Sequence, residues 1–324
     1  MKILILRFSS IGDIVLTTPV IRCLKKQLPD AEVHFATKAS FKTILENNPN
    51  IDKLHLLESS TGNLIASLKK ERFDVIIDLH GNLRTRRIKW ALGAKSFTFD
   101  KLNIRKWLYV NWQWNTLPDK HIVDRYLDTL KPLGITNDQA GLDYFIPSKD
   151  IVAIHTLPEQ FHSGYVAIAI GAQHATKRLP ETKLAELIGK ISLPVILLGG
   201  KEDALMATKL IGYFPETKNV LNACGAYNLN QSASVVQQSL YLYTHDTGLM
   251  HIAAALQKRI VSIWGNTVPE FGMYPYKTEH INWEIKGLNC RPCSKIGYKT
   301  CPKKHFKCMN EQRLPVQEVE QQWK

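Results

Sequence analysis

No apolar run in this 324-residue sequence approaches the ~20 residues of a membrane-spanning helix. The opening "ILIL" is interrupted by Arg7, and no apolar stretch of ~7–15 residues follows Lys2, so a secretory signal peptide is not expected. There is no tandem repeat and no low-complexity segment. Neither G-x-G-x-x-G nor G-x-x-x-x-G-K-[ST] occurs, which excludes both familiar nucleotide fingerprints and argues against a Rossmann dehydrogenase. Acidic residues are scarce in two places. Residues 84–106 hold Arg84, Arg86, Arg87, Lys89, Lys95, Lys101, Arg105 and Lys106 against Asp100 alone, and 286–307 hold seven cations and no acid.

What is present is a chain rich enough in apolar residues, at 44%, to bury sizeable cores. Its length suits two domains, and a soluble, cytoplasmic protein is expected. The formal net charge is +13. Such one-sided clusters either solvate a surface or attract an anionic partner: nucleic acid, membrane or a phosphorylated substrate.

Period and punctuation predict alternating strands and helices. Strands are expected at 2–6, 32–37, 52–57 and 73–79, with helices over 14–28, 40–46, 62–71 and 121–134. Weak periodicity and several Pro, Gly and Ser residues place a linker within 137–163. The pattern then restarts, with strands at 165–172, 193–200, 239–246 and 259–265, and helices at 180–190, 202–213 and 248–257. Two βαβ arrays imply two doubly wound α/β domains, 1–150 and 163–324.

Ligands of such sheets bind beyond the carboxyl ends of the strands, and three loops there carry chemistry. In "RFSSIGDIVLTTP", Gly12 permits a tight turn, and Asp13 either stabilises a helix start or projects a carboxylate for chemistry. In "AIGAQHATKRLP", Lys177 and Arg178 either contact phosphate oxygens or are surface charges. In "THDTGLMHIAAAL", Asp246 and Thr247 either cap a helix or, with Gly248, form a start whose N–H groups hold a diphosphate. His251 in that helix is read as packing.

Together these loops resemble the ADP-heptose:lipopolysaccharide heptosyltransferases, the family 9 glycosyltransferases. The segments that carry the likeness run nearly the length of the chain. They are "SSIGDIVLTTPVIRCLKKQLPDAEV", "DLHGNLRTRR", "HIVDRYL", "GAQHATKRLP", "DTGLMHIAAAL" and "IVSIWGNTVPEFGMYPY". The Asp-Thr-Gly-x-x-His-x-Ala-Ala segment is the most specific of them.

The resemblance implies a GT-B fold, two Rossmann-like domains facing across a cleft, with acceptor binding mainly in the N-terminal domain and donor binding mainly in the C-terminal one. It implies an inverting transfer without a catalytic metal, with Asp13 as the base on the acceptor hydroxyl. Lys177 matches a lysine on the donor phosphates, and Asp246 an acid on the donor sugar. Thr247, Gly248 and Leu249 would supply a backbone cradle. Glu202, in "LLGGKED", lies near the expected nucleoside side. Arg84, Arg86 and Arg87 are candidates for an anionic acceptor. The chain departs from the family pattern at Ala172 and Gln173, where a hydroxyl residue often stands, and at Leu179, where tryptophan is frequent. The donor is therefore expected to be ADP-heptose, with another nucleotide sugar as the alternative. The acceptor would be a lipopolysaccharide core or related glycolipid, reached by peripheral contact at the cytoplasmic face of the inner membrane.

Of six cysteines, Cys23 and Cys224 stand alone and are read as buried packing. Cys290, Cys293, Cys301 and Cys308 crowd into "CRPCSKIGYKTCPKKHFKC", a spacing that suits a structural zinc on four thiolates, with His305 as a substitute ligand. Reduced thiols and disulfides remain the alternatives. The charge and the cysteines also raise a different class, a nucleic-acid-binding protein with a zinc knob. No nucleic-acid motif accompanies them, and no nucleic-acid partner is expected.

Overall fold

The computed structural model describes residues 1–323, which divide into two compact units. The first comprises Met1–Leu102 and Lys120–Phe145, and the second Asn103–Asp119 and Ile146–Lys324. Residues 103–119, placed in the first domain by sequence, thus group with the second. No helix among the described residues is long and apolar enough to cross a membrane.

In the first unit five strands form one parallel sheet: β1 (Lys2–Leu6), β2 (Glu32–Lys38), β3 (Lys53–Leu57), β4 (Val75–Asp78) and β5 (Lys95–Thr98). Ile3 to Leu6 are fully buried, as in a strand covered by helices on both faces. The spatial order is β3-β2-β1-β4-β5. The chain steps outward from β1 to β3 and then crosses to β4 on the other flank. Strand order therefore reverses between β1 and β4, the point at which sheets of this kind take their ligands.

The helix expected over 14–28 is two helices, Ile11–Val15 and Thr18–Gln27, with Pro19 in the first turn of the second. That second helix buries Val20, Ile21, Cys23 and Leu24. Its Arg22, also buried, forks onto both carboxylate oxygens of Asp138 at 2.8 and 2.9 Å and pairs with Asp143, which ties the end of the unit back to the helix. The helix Leu83–Leu92 and strand β5 were not anticipated. The helix begins with Asn82 accepting from Thr85 N at 3.0 Å, and β5 is an exposed edge strand without an apolar pattern.

In the second unit six strands form another parallel sheet: β6 (Val166–Ala169), β7 (Val195–Leu198), β8 (Val220–Asn222), β9 (Tyr241–His245), β10 (Arg259–Trp264) and β11 (His280–Glu284). The order is β11-β10-β9-β6-β7-β8, so this sheet reverses between β6 and β9. The outermost strands β8 and β11 are only half-buried, which is why their apolar pattern is weak. The core is built on the central strands and closed by Cys308, Met309, Val316, Val319 and Trp323 near the chain end. The helix Asn103–Trp112 buries no residue. It meets the rest of its unit through Tyr109 edge-on to Phe271 at 6.1 Å, Lys106 over the same ring at 5.6 Å, and Lys295 donating to Asn103 O at 3.3 Å.

Candidate active site

At the reversal of the first sheet, the loop after β1 meets the loop after β4. Arg7, almost fully buried, is the joint. It donates to Leu79 O at 2.5 Å, Ser9 O at 2.7 Å and Tyr126 Oη at 3.1 Å, and its Nη2 lies 2.7 Å from Asp13 Oδ1. The other carboxylate oxygen of Asp13 accepts from Ser10 N at 3.0 Å and Ser10 Oγ at 2.7 Å. Asp13 therefore does serve as the acid of a capping box, three residues after the N-cap Ser10 of a short helix. It is also locked in one orientation, with 19% of its side chain still reached by solvent.

His80 packs edge-on against Phe8 at 5.8 Å. Burial, reinforced by the positive charges of Arg7 and Lys101, holds the imidazole neutral with a pKa of about 4. Lys101 donates to His80 O at 3.1 Å. Sequence reasoning missed Arg7, His80 and Lys101 as members of this cluster. The only signal was their place at strand ends.

The three candidate acceptor arginines do not act alike. Arg84 is half-buried with its guanidinium over Phe8 at 5.4 Å, beside the Asp13 loop, whereas Arg86 and Arg87 are exposed. The basic stretch 84–106 is not one patch. Lys89 neutralises buried Asp78 at 2.9 Å, and Arg105 and Lys106 belong to the second unit.

At the reversal of the second sheet, the loop after β6 meets the loop after β9. Lys177 Nζ stands 2.5 Å from Asp246 Oδ2 and donates to Asp246 O at 3.3 Å. Thr267, after β10, donates to the same carboxylate oxygen at 3.0 Å. Both charged side chains are largely covered, at 15% and 11% exposure. The helix Gly248–Ala255 starts here. Its N-terminal neighbour Thr247 makes no capping bond, because Thr247 Oγ1 engages Thr244 Oγ1 at 3.2 Å instead. The first N–H groups of this helix, at the positive end of its dipole, thus have no side-chain cap, and they follow directly on Asp246, the partner of Lys177.

Two positioning residues escaped the sequence reading. His245 accepts a bond from Leu179 N at 2.9 Å, fixing the loop that carries Lys177. Burial holds this imidazole neutral, with a pKa of about 4, so that Nε2 keeps its lone pair. Asp203 accepts from Gly200 N at 2.9 Å and lies 3.4 Å from Arg178, itself bonded to Ala172 O at 2.6 Å. The Asp203 carboxylate fills the space beside Gly171 that a Cβ would occupy. Arg178 is therefore a brace rather than a free cation. Glu202 stands exposed on the turn after β7, one strand outward, apart from the Lys177–Asp246 pair. Leu179, at the position where tryptophan is frequent, is buried in the core.

The Cys-rich segment touches this loop directly. Thr176 N and Oγ1 both donate to Tyr298 O at 3.2 Å, and Tyr298 N donates to Thr176 Oγ1 at 2.8 Å. Arg291, within the segment, is buried and structural, bound to Gly265 O at 2.6 Å, Thr267 O at 2.9 Å and Glu284 at 2.7 Å. All six cysteines are free thiols, and Cys23 and Cys224 are buried as expected. Burial pushes the Cys293 thiol up to about 11 and Cys308 to about 12.

Two Rossmann-like parallel sheets, each with polar side chains gathered at its reversal point, define a GT-B architecture. A solved glycosyltransferase of family 9 from Veillonella parvula DSM 2008 superposes with a TM-score of 0.71 at 24% identity, over 87% of this chain and 85% of that one. An E. coli heptosyltransferase solved with ADP-2-deoxy-2-fluoro heptose gives 0.70 at 20% identity, over 99% and 100%. Lipopolysaccharide heptosyltransferase 1 of Campylobacter coli is 25% identical over 296 residues, 82% of this chain and 84% of that protein. Residues 61–305 match the model of glycosyltransferase family 9 (heptosyltransferase). The chain belongs to that family and is a glycosyltransferase.

Proposed function

We propose that the protein transfers heptose from an ADP-sugar to a lipopolysaccharide core or related glycolipid, with inversion at the anomeric carbon. Asp13 takes the proton of the acceptor hydroxyl. The acceptor oxygen bonds to the anomeric carbon as the bond from that carbon to the β-phosphate oxygen breaks, and the electron pair leaves with ADP. Lys177 and the N–H groups of Gly248 and Leu249 offset the charge growing on the diphosphate, and Thr247 shapes the turn that presents them. Asp246 bonds donor-sugar hydroxyls, and Glu202 accepts from the ribose. No metal takes part in this scheme.

The observation that carries this reading is the Lys177–Asp246 pair lying at the β6/β9 reversal beside an uncapped helix start. A cation, an acid and free N–H donors in one place are what a sugar diphosphate requires. The names of the relatives favour ADP-heptose as the donor and lipopolysaccharide as the acceptor.

The acceptor is anionic in this reading, held by Arg84, Arg86 and Arg87. Contact with the cytoplasmic face of the inner membrane is peripheral. It is supported by Ile104, Trp107, Trp112 and Trp114, large apolar side chains left exposed beside Arg105 and Lys106.

A thermal-shift screen of ADP-, UDP- and GDP-sugars, followed by turnover with purified core acceptor, tests the assignment. ADP-heptose at 100 times its Kd should stabilise the protein by ~2.7 kcal/mol. Stabilisation and turnover with a UDP- or GDP-sugar alone would replace the donor, and no turnover with any nucleotide sugar would remove the function.

A further inference from the structure

We propose that His245 controls donor affinity: through one hydrogen bond to the main chain at Leu179 it sets where Lys177 presents its ammonium to the diphosphate. The inference rests on the reading of Lys177 as a phosphate ligand.

His245 is the last residue of β9 and is 1% exposed. A backbone N–H can only donate, so Leu179 N, 2.9 Å away, makes Nε2 the acceptor and puts the ring proton on Nδ1. Nδ1 faces Gly171 O at 3.5 Å, a long contact. One imidazole therefore meets both ends of the loop that joins β6 to the helix Glu181–Lys190.

The other buried histidine pair has a different role. His34, His55 and Glu71 bring their ligand atoms within 4.8 Å of one another, and among the described residues the cysteines of 290–308 form no such group. His34 bonds His55 at 2.9 Å and Glu32 at 2.7 Å, while Glu71 is held by Lys2 and Lys53, so those side chains satisfy one another. His245 instead spends its lone pair on the backbone of a loop that carries a candidate ligand.

Within that loop, Lys177 N bonds His174 O and Arg178 N bonds Ala175 O, both at 3.0 Å, and Arg178 Nε closes the loop on Ala172 O at 2.6 Å. At the end of β9 the loop is gripped by consecutive residues. His245 takes the main chain at Leu179, and Asp246 takes the ammonium of Lys177 at 2.5 Å. A donor acts differently on the two grips. A phosphate oxygen competes with the Asp246 carboxylate for the ammonium. The Leu179 bond holds no group that meets phosphate, so it persists when the ammonium changes partner. Only Arg178 separates Leu179 from Lys177 in sequence, and the backbone carrying Lys177 thus stays in register with β9 through His245. Without that acceptor, Leu179 N becomes a buried donor with no partner, and the loop must shift to find one.

The test measures ADP affinity by calorimetry on the full chain. His245→Leu removes the acceptor at similar volume and should weaken ADP binding about tenfold. His245→Gln places an oxygen near the position of Nε2 and should stay within about threefold of wild type. His245→Asn stops at the level of Nδ1, too short for Leu179 N, and should behave like His245→Leu; it carries the test if the leucine variant does not fold. The donor KM should rise with the acceptor KM unchanged, because Asp13 lies in the other unit. In a Lys177→Ala background the effect of His245→Leu on ADP affinity should shrink to within about twofold, since the two residues act as one.

Leucine and asparagine variants that bind ADP as tightly as wild type overturn the inference, whatever their melting temperatures. So does a glutamine variant as weak as the leucine one, or a full loss that persists without Lys177. Wild-type protein that binds ADP with an affinity indifferent to Lys177→Ala removes the reading of Lys177, and this inference with it. Wild-type protein that binds no ADP counts instead against the proposed donor.

Discussion

Replacing Asp13 with asparagine separates capping from catalysis. The side chain keeps its size and an acceptor oxygen, so the bonds from Ser10 N and Ser10 Oγ at 3.0 and 2.7 Å survive. What disappears is the negative charge, and with it the acceptor, 2.7 Å from Arg7 Nη2, where the amide NH2 now stands donor to donor. Arg7 retains Ser9 O, Leu79 O and Tyr126 Oη. The pair is partly open to solvent and Arg7 is not left bare, so the loss should fall at the low end for charged partners, about 1–3 kcal/mol. For a domain of this size that is a melting shift of about 2–4 °C per kcal/mol. Donor binding, measured with ADP by calorimetry, should be unchanged, because Asp13 and Lys177 lie in different units.

Turnover should fall by ~10²–10⁴-fold, the usual effect of losing a general base. Ser10→Ala is the control. It removes one donor to the carboxylate and leaves the charge, at about 1 kcal/mol. If Asp13 only caps a helix, the two variants should lose similar, small amounts of activity. A folded Asp13→Asn protein with turnover within tenfold of wild type would refute the assignment.

Lys177→Ala should weaken ADP binding by ~10–100-fold, the equivalent of one charge-assisted bond to phosphate, and lower turnover further; unchanged kinetics would return Lys177 to a structural partner of Asp246. Gln at Arg84, Arg86 and Arg87 should raise the acceptor KM and flatten its salt dependence, with the greater share from Arg84 beside the Asp13 loop; acceptor kinetics indifferent to both would make these side chains solvating only. Replacing Trp107, Trp112 and Trp114 with serine should abolish co-sedimentation with anionic vesicles while leaving turnover on a soluble acceptor intact, and undiminished sedimentation would place membrane contact elsewhere. Stability should fall as pH drops from about 6.5 towards 4. His55, His80 and His245 are held near 4 when folded but take protons near 6.5 when unfolded, so the unfolded chain gains protons across that window, at up to roughly 3 kcal/mol each. Urea titrations at pH 7.5 and 5 read this effect. His245→Gln keeps an acceptor for Leu179 N and should shallow the slope; an unaltered slope would reject the His245 share.

The central strands were legible from sequence because their chemistry is local. Runs such as Ile3–Leu6, Val195–Leu198 and Tyr241–His245 are buried on both faces, so continuous apolar sequence and strand coincide. The loops that follow them were legible for the same reason, since a strand end in a parallel sheet is also a ligand edge. The edge strands β5, β8 and β11 carry no such pattern, and the break at Leu16–Thr17 is a matter of how two helix segments pack. Which loops stand together was decided only by tertiary structure. Strand order reverses between β1 and β4 and between β6 and β9, and nothing local in the chain encodes those reversals. They bring Arg7 to Leu79, His80 to Phe8 and Lys177 to Asp246 across 72, 72 and 69 residues. Tertiary contacts also make a brace of Arg178, read either as a phosphate contact or as a surface charge, and of Arg291, counted in a basic cluster. Residue type announced the charges, and burial with specific partners determined which of them remain available to a ligand.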